Sequence, residues 1–206
     1  YSKDNERILQ RQIRRFLKNT RGFEMMNESE GRIDLICLIS ASEMPLIASI
    51  NRMYSLLTSV TRDIISISEE SEKELLDDVD EREAEVDALL YLVERQVSVA
   101  LDSHLVASAL KLARNQAVEH SNLATSLERM MDHATQMAHL VQESDFNLDS
   151  EKTPMIQISA WQKAIKNLMI NIRTRNSFEI EESRQLLKQA QLEIVQYDDE
   201  LIEGRK

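Results

Sequence analysis

Four carboxylates in this chain stand at a spacing that oxygen-ligand chemistry can use. Glu83 and Asp87 form one pair, and Glu128 and Asp132 form another. A separation of four residues puts both acids of a pair on one helix face, about a turn apart, where they repel unless solvent, a cation or a metal compensates. Each pair is therefore half of a candidate metal site built from oxygen ligands. The pattern by itself has little specificity. Acidic residues number 36 in 206, Glu74/Asp78 and Asp145/Asp149 repeat the spacing, and a solvated acidic face accounts for any single pair.

Symmetry separates the two chosen pairs from the others. If the helices carrying them run antiparallel, residues equidistant from the turn lie level, and the midpoint between the pairs falls at residue 107 or 108. A turn there brings the four carboxylates together, whereas a turn at Asn115 offsets them by about 22 Å at 1.5 Å per residue. Asp102-Ser103 offers an N-cap pair and Arg114-Asn115 an alternative stop, and the break is placed between about 101 and 108. On a helical wheel Glu128 and Asp132 face away from their apolar stripe, while Glu83 and Asp87 sit at the flank of theirs. The site is expected on the outside of a bundle.

Other chemistry is poorly represented, and no enzyme is expected. His104, His120, His133 and His139 lack the H-E-x-x-H spacing, and no Glu-x-x-His pair exists for a di-iron site. His120 reads as a packed or hydrogen-bonded histidine, and His133 points away from the stripe. Glycines at 22, 31 and 204 permit no phosphate-cradling loop, and the single Cys37 allows no disulfide or C-x-x-C clamp, as suits a reducing, cytoplasmic compartment. No apolar run approaches the roughly 20 residues of a membrane span. The chain opens on Tyr1 rather than Met, which reads as a piece of something longer.

The elements that must position the acids are legible in composition. Three glycines and two prolines stand where average usage gives about 25 such residues, so turns are few and long helices dominate. From Leu46 to Thr153 neither occurs, a stretch of 108 residues. Ser42 as N-cap and Pro45 in the first turn open a helix with Ile47, Ile50, Tyr54, Leu57, Val60, Ile64 and Ile67 at steps of three and four. The acids of Asp77-Asp78-Val79-Asp80 break it. A second helix carries Val86, Leu89, Leu90, Val93, Val97, Ala100 and Leu101, and a third Leu123, Leu127, Met130, Met131, Ala134, Met137, Ala138 and Val141. Thr153-Pro154 opens a fourth (Ile158, Trp161, Ile165, Leu168, Ile172), and an Asn176/Glu179 capping box a fifth (Ile180, Leu187, Ala190, Ile194, Leu201).

Ahead of these, residues 5–18 form an amphipathic helix on Leu9, Ile13, Phe16 and Leu17, ended by Gly22. Residues 23–29 and 32–38 then form a small hairpin around Glu30-Gly31. The expected fold class is an all-α antiparallel helix bundle with a basic N-terminal helix and hairpin over 1–40 and the bundle over 41–206. Residues 1–21 carry a local charge of +5 and the remainder −16, within a net −11. An acidic body repels nucleic acid and anionic lipid and suits cations or basic protein partners.

The run Leu127-Glu128-Arg129-Met130-Met131-Asp132-His133-Ala134 resembles the L-E-R-x-x-D-[HY]-A signature of PhoU-type phosphate uptake regulators. Glu83-Ala84-Glu85-Val86-Asp87-Ala88-Leu89 is similar to their partner motif, and Asp87 and Asp132 lie 45 residues apart, about what a three-helix repeat of that family requires. Arg21-Gly22-Phe23-Glu24 and Arg52-Met53-Tyr54 resemble the archaeal branch, in which an AbrB-like domain precedes the PhoU region. The resemblance covers roughly residues 7–203. It implies one complete repeat (42–146), two helices of a second (152–203), and Glu83, Asp87, Glu128 and Asp132 as ligands of surface metal ions, with Fe, Zn, Mn or Mg as candidates. It also implies a non-enzymatic regulator linking a phosphate transporter to signalling or transcription. A bundle with five long helices and an open slot leaves an apolar groove, from which homodimerisation is expected. The competing expectation is a metal-free helical interaction module.

Overall fold

The computed structural model describes residues 12–13, 15–17, 23–29, 32–37, 45–70, 73–143, 149, 151–174 and 176–204. Two short strands, β1 (Phe23–Ser29) and β2 (Arg32–Cys37), pair antiparallel from Phe23↔Cys37 to Ser29↔Arg32, with a register irregularity between Met25 and Asn27. This is the expected hairpin. Its Glu30-Gly31 turn, the Ser42 cap and most of the basic helix lie outside the described residues, although residues 12, 13 and 15–17 are helical.

All other described elements are helical. Helix α1 (Leu46–Glu70) is followed by a 3-10 turn (Lys73–Leu76), α2 (Val79–Asp102), the short α3 (His104–Ala109), α4 (Arg114–Glu143), α5 (Met155–Thr174) and α6 (Ser177–Glu203). The break before α2 comes where like charges crowd: Asp77 and Asp78 form a turn, and Asp78 pairs with Arg82 at 2.6 Å across the first turn of α2. Pro45 precedes α1 and its carbonyl accepts from the Ala48 amide at 2.9 Å. A proline costs a helix nothing there, because its missing amide would have had no partner.

The chain packs as two compact units, Tyr1–Leu57 with Asp78–Gln136 and Thr58–Asp77 with Met137–Lys206. In the first, Ile50, Met53 and Leu57 of α1, Val86, Leu89 and Val93 of α2 and Leu127 and Met131 of α4 form the core, all essentially inaccessible to solvent. In the second, Val60, Ile64 and Ile67 of α1, Leu76, Ala138, Met155, Ala164, Ile165 and Ala190 are buried. Gln162 donates to the Thr61 hydroxyl at 2.8 Å, and the Lys73 ammonium donates to the Gln142 carbonyl at 3.0 Å. Residues at steps of three and four therefore face inward, as the periodicity predicts.

Three expectations need correction. The link between α2 and α4 is a two-stage connector over Ser103–Ala113 instead of one tight turn. Ser103 caps α3, its hydroxyl accepting from the Val106 amide at 3.4 Å, and Gln116 folds back to accept from Ala113 at 3.2 Å. Both candidate stops in the sequence are thus real, and the midpoint of the connector stays at residue 108. Leu101, placed on the stripe of the second helix, is exposed in the last turn of α2. Finally, Ile194 and Leu201 are 43% and 44% exposed. Gln157 near the start of α5 bonds Glu193 at 2.9 Å, so α5 and α6 run antiparallel and α6, with 27 residues against 20, outlasts its neighbour. Its final turns have no helix of this pair beside them.

Candidate metal centre

Asp87 projects from the middle of α2, and Glu128 and Asp132 from successive turns of α4. All three are half-buried, and one carboxylate oxygen of each lies within 4.8 Å of the others. Within the first unit, the register is fixed partly by Arg52 on α1. Its Nε and Nη2 donate to the two carboxylate oxygens of Glu85 at 3.1 and 2.9 Å, a fork-to-fork pair that ties α1 to α2. Glu85 is thereby engaged two residues before Asp87. Helix periodicity turns it to another face of α2, which leaves Asp87 to meet α4.

The electrostatics are those of crowded acids. The Asp87 carboxyl is held above the ordinary carboxylate value, first by burial and then by the charge of Asp132. Glu128 is raised as well, by burial, then by Asp132 and Asp87, with a small contribution from Glu94 and a partial offset from Arg129. Two neighbouring acids therefore bind protons more readily than they would in water, and each would gain from a cation placed between them.

Of the four acids singled out in the sequence, the structure brings three together. Glu83 is half-buried one turn before Asp87 and is not in the cluster. The cluster is also less exposed than the helical wheel suggests, because the facing helix covers part of each side chain. Sequence reasoning missed the pairing of Arg52 with Glu85, which spans 33 residues and leaves no local signal. It also missed Glu94, which the seven-residue step from Asp87 could have pointed to, since that step returns to the same helix face. His120 is half-buried with Nδ1 2.6 Å from the Gln116 carbonyl, as a satisfied histidine would be, and His133 is exposed.

The donor set fits a hard cation. Oxygen ligands sit about 2.0–2.6 Å from Mg2+ or Ca2+, so two of them on one ion are separated by at most about 4–5 Å. A spread of 4.8 Å lies within the reach of Ca2+, and the smaller Mg2+, which spans about 4.2 Å, would need the side chains to close on it. Three carboxylates with no thiolate or imidazole among them favour Mg, Mn, Ca or iron over a structural zinc site.

Compared with family models, residues 50–141 match the PhoU domain. No curated protein and no solved structure matches the chain.

Proposed function

We propose that this chain, whose residues 50–141 match the PhoU domain, is a non-enzymatic regulator of phosphate homeostasis, a metal-binding adaptor controlling phosphate uptake. One observation carries the metal part: the half-buried convergence of Asp87, Glu128 and Asp132. These three would hold the ion, and Glu83, one turn away, is the candidate fourth ligand. A bound cation supplies charge neutralisation across the α2–α4 seam. The side chains do the rest by fixing where the two helices meet. No helix among the described residues is long and apolar enough to cross a membrane. Contact with a transporter or a signalling protein would come through helical faces, and the single Cys37 suits a reducing, cytoplasmic setting. The residues quoted above for the archaeal branch support placing it there.

The test is metal binding by the chelator-treated protein. Mn2+ or Fe2+ added to the wild type is expected to bind saturably, and Glu128→Gln with Asp132→Asn is expected to lose that binding at least a hundredfold. Unchanged stoichiometry in the double variant would reject these ligands. Glu83→Gln separates three ligands from four: a loss of tenfold or more assigns it to the ion, and no change removes it. In cells lacking the native gene, the double variant is expected to fail where the wild type restores control of phosphate uptake.

A second reading, the interaction module, is favoured by the end of α6, where Leu192, Val195 and Ile202 are 51%, 51% and 56% exposed. Apolar side chains of that size on one short helical stretch suit a second copy of the chain. Homodimerisation is compatible with metal binding and does not depend on it.

A further inference from the structure

The connector between α2 and α4 forms an open surface cavity of about 380 Å3, most of whose lining residues are exposed. His104 and Ser108 of α3, Lys111 and Leu112 of the turn and Arg114 at the start of α4 line it, with Ala107 buried at its side. No carboxylate lines it. In a body whose residues 22–206 sum to −16, a concave surface lined by the exposed side chains of Lys111 and Arg114 and by no acid is locally basic. Among the described residues, no ion pair engages His104, Lys111 or Arg114. The Lys111 and Arg114 charges thus have no ion-pair partner among the described residues.

Lys111 has a φ of 52°, the left-handed region that glycine occupies without strain and a lysine does not. Backbone bonds hold the turn in place, from Lys111 N to the Ser108 carbonyl at 3.1 Å and from Leu112 N to the Ala107 carbonyl at 3.0 Å. The chain thus keeps a cationic side chain at the rim where a smaller residue would fold more easily. Arg114 begins a helix of 30 residues, and the first amides of such a helix lack intrahelical partners and favour negative charge.

We propose that this cavity binds a small phosphorylated compound, its phosphoryl oxygens held by Lys111 and Arg114 and its remainder lying over Ala107 and Leu112. The volume falls in the range of about 300–1,000 Å3 typical of small-molecule pockets, which gives room for more than one orthophosphate. The site is separate from the acid cluster. Arg114 precedes Glu128 by fourteen residues of α4, about 21 Å of helix at 1.5 Å per residue.

Calorimetric titration of the full chain with inorganic phosphate, pyrophosphate and adenosine monophosphate, in chelator so that no metal bridges anion and acids, tests this assignment. Saturable binding of pyrophosphate or the nucleotide is expected, weakened at least tenfold in Lys111→Gln with Arg114→Gln. Orthophosphate is expected to bind more weakly than either. Absence of saturable binding for all three, or equal affinity in the double variant, would overturn the proposal. Lys111→Gly guards against a purely structural effect. It relieves the backbone strain, so its thermal midpoint should rise while anion affinity falls; a rise with affinity intact would remove Lys111 from the site. Asp132→Asn should leave anion binding unchanged, which keeps failure here distinct from failure of the metal reading.

Discussion

Burial and crowding against Asp132 make Asp87 and Glu128 cost the metal-free protein stability, and the sign of the Asp87 and Glu128 pKa shifts says how. Asp87 and Glu128 both titrate above their ordinary values of 3.8 and 4.5 in the folded state. Between the unfolded and folded values the native protein binds more protons than the unfolded chain, so stability is greatest below that window and falls as pH rises through it. At neutral pH the apo site therefore carries unrelieved repulsion. Asp132→Asn, which removes the like-charge partner of Glu128 one turn away, is expected to raise the stability of the chelated protein by about 0.5 kcal/mol. Urea melts at pH 7 and at pH 4 check this prediction, with the gain shrinking at the lower pH. In saturating Mn2+ the order should reverse, because binding at a hundred times Kd stabilises the wild type by about 2.7 kcal/mol and the variant loses that gain.

Helices carry the acids, and their registers decide what the acids can do. The Arg52–Glu85 pair is partly exposed, with 52% and 26% of the two side chains accessible, so Arg52→Ala should cost only about 0.5–1 kcal/mol in a urea melt. Its larger expected effect is on metal affinity, since it lets α1 and α2 slip against each other. Ser103→Ala removes the cap of α3 and should cost about 1 kcal/mol by the same measurement. Much of this level was legible in the sequence. The 108 residues without glycine or proline announced long helices, and steps of three and four found Ile50, Leu57, Val86, Leu89, Leu127 and Met131, all buried. The mirror relation of the two acidic pairs about residue 108 agrees with the convergence of Asp87, Glu128 and Asp132, though not of Glu83. The connector was harder to read, because a serine cap and a glutamine that folds back are weak local signals whose combined effect depends on chain geometry. Glu83 shows the same limit. A four-residue step places a side chain on a face to within a turn, and convergence on a neighbouring helix needs closer placement than that. Ile194 and Leu201 belong to a periodic stripe, yet periodicity says nothing about where the partner helix stops.

Charge and exposed apolar surface act on the molecule as a whole. With a net charge of −11, copies of this chain repel one another at low ionic strength, and any self-association must come from apolar contact. Sedimentation at tens of micromolar protein is expected to give a dimer whose affinity increases with salt. Leu192→Gln, Val195→Gln and Ile202→Gln together are expected to give a folded monomer, and a dimer unaffected by these changes would place the interface elsewhere. The division between the compact units falls within α1, after Leu57, and within α4, after Gln136. A chimera that exchanged one unit would splice each rod in mid-turn, so both junctions would have to match in helical phase.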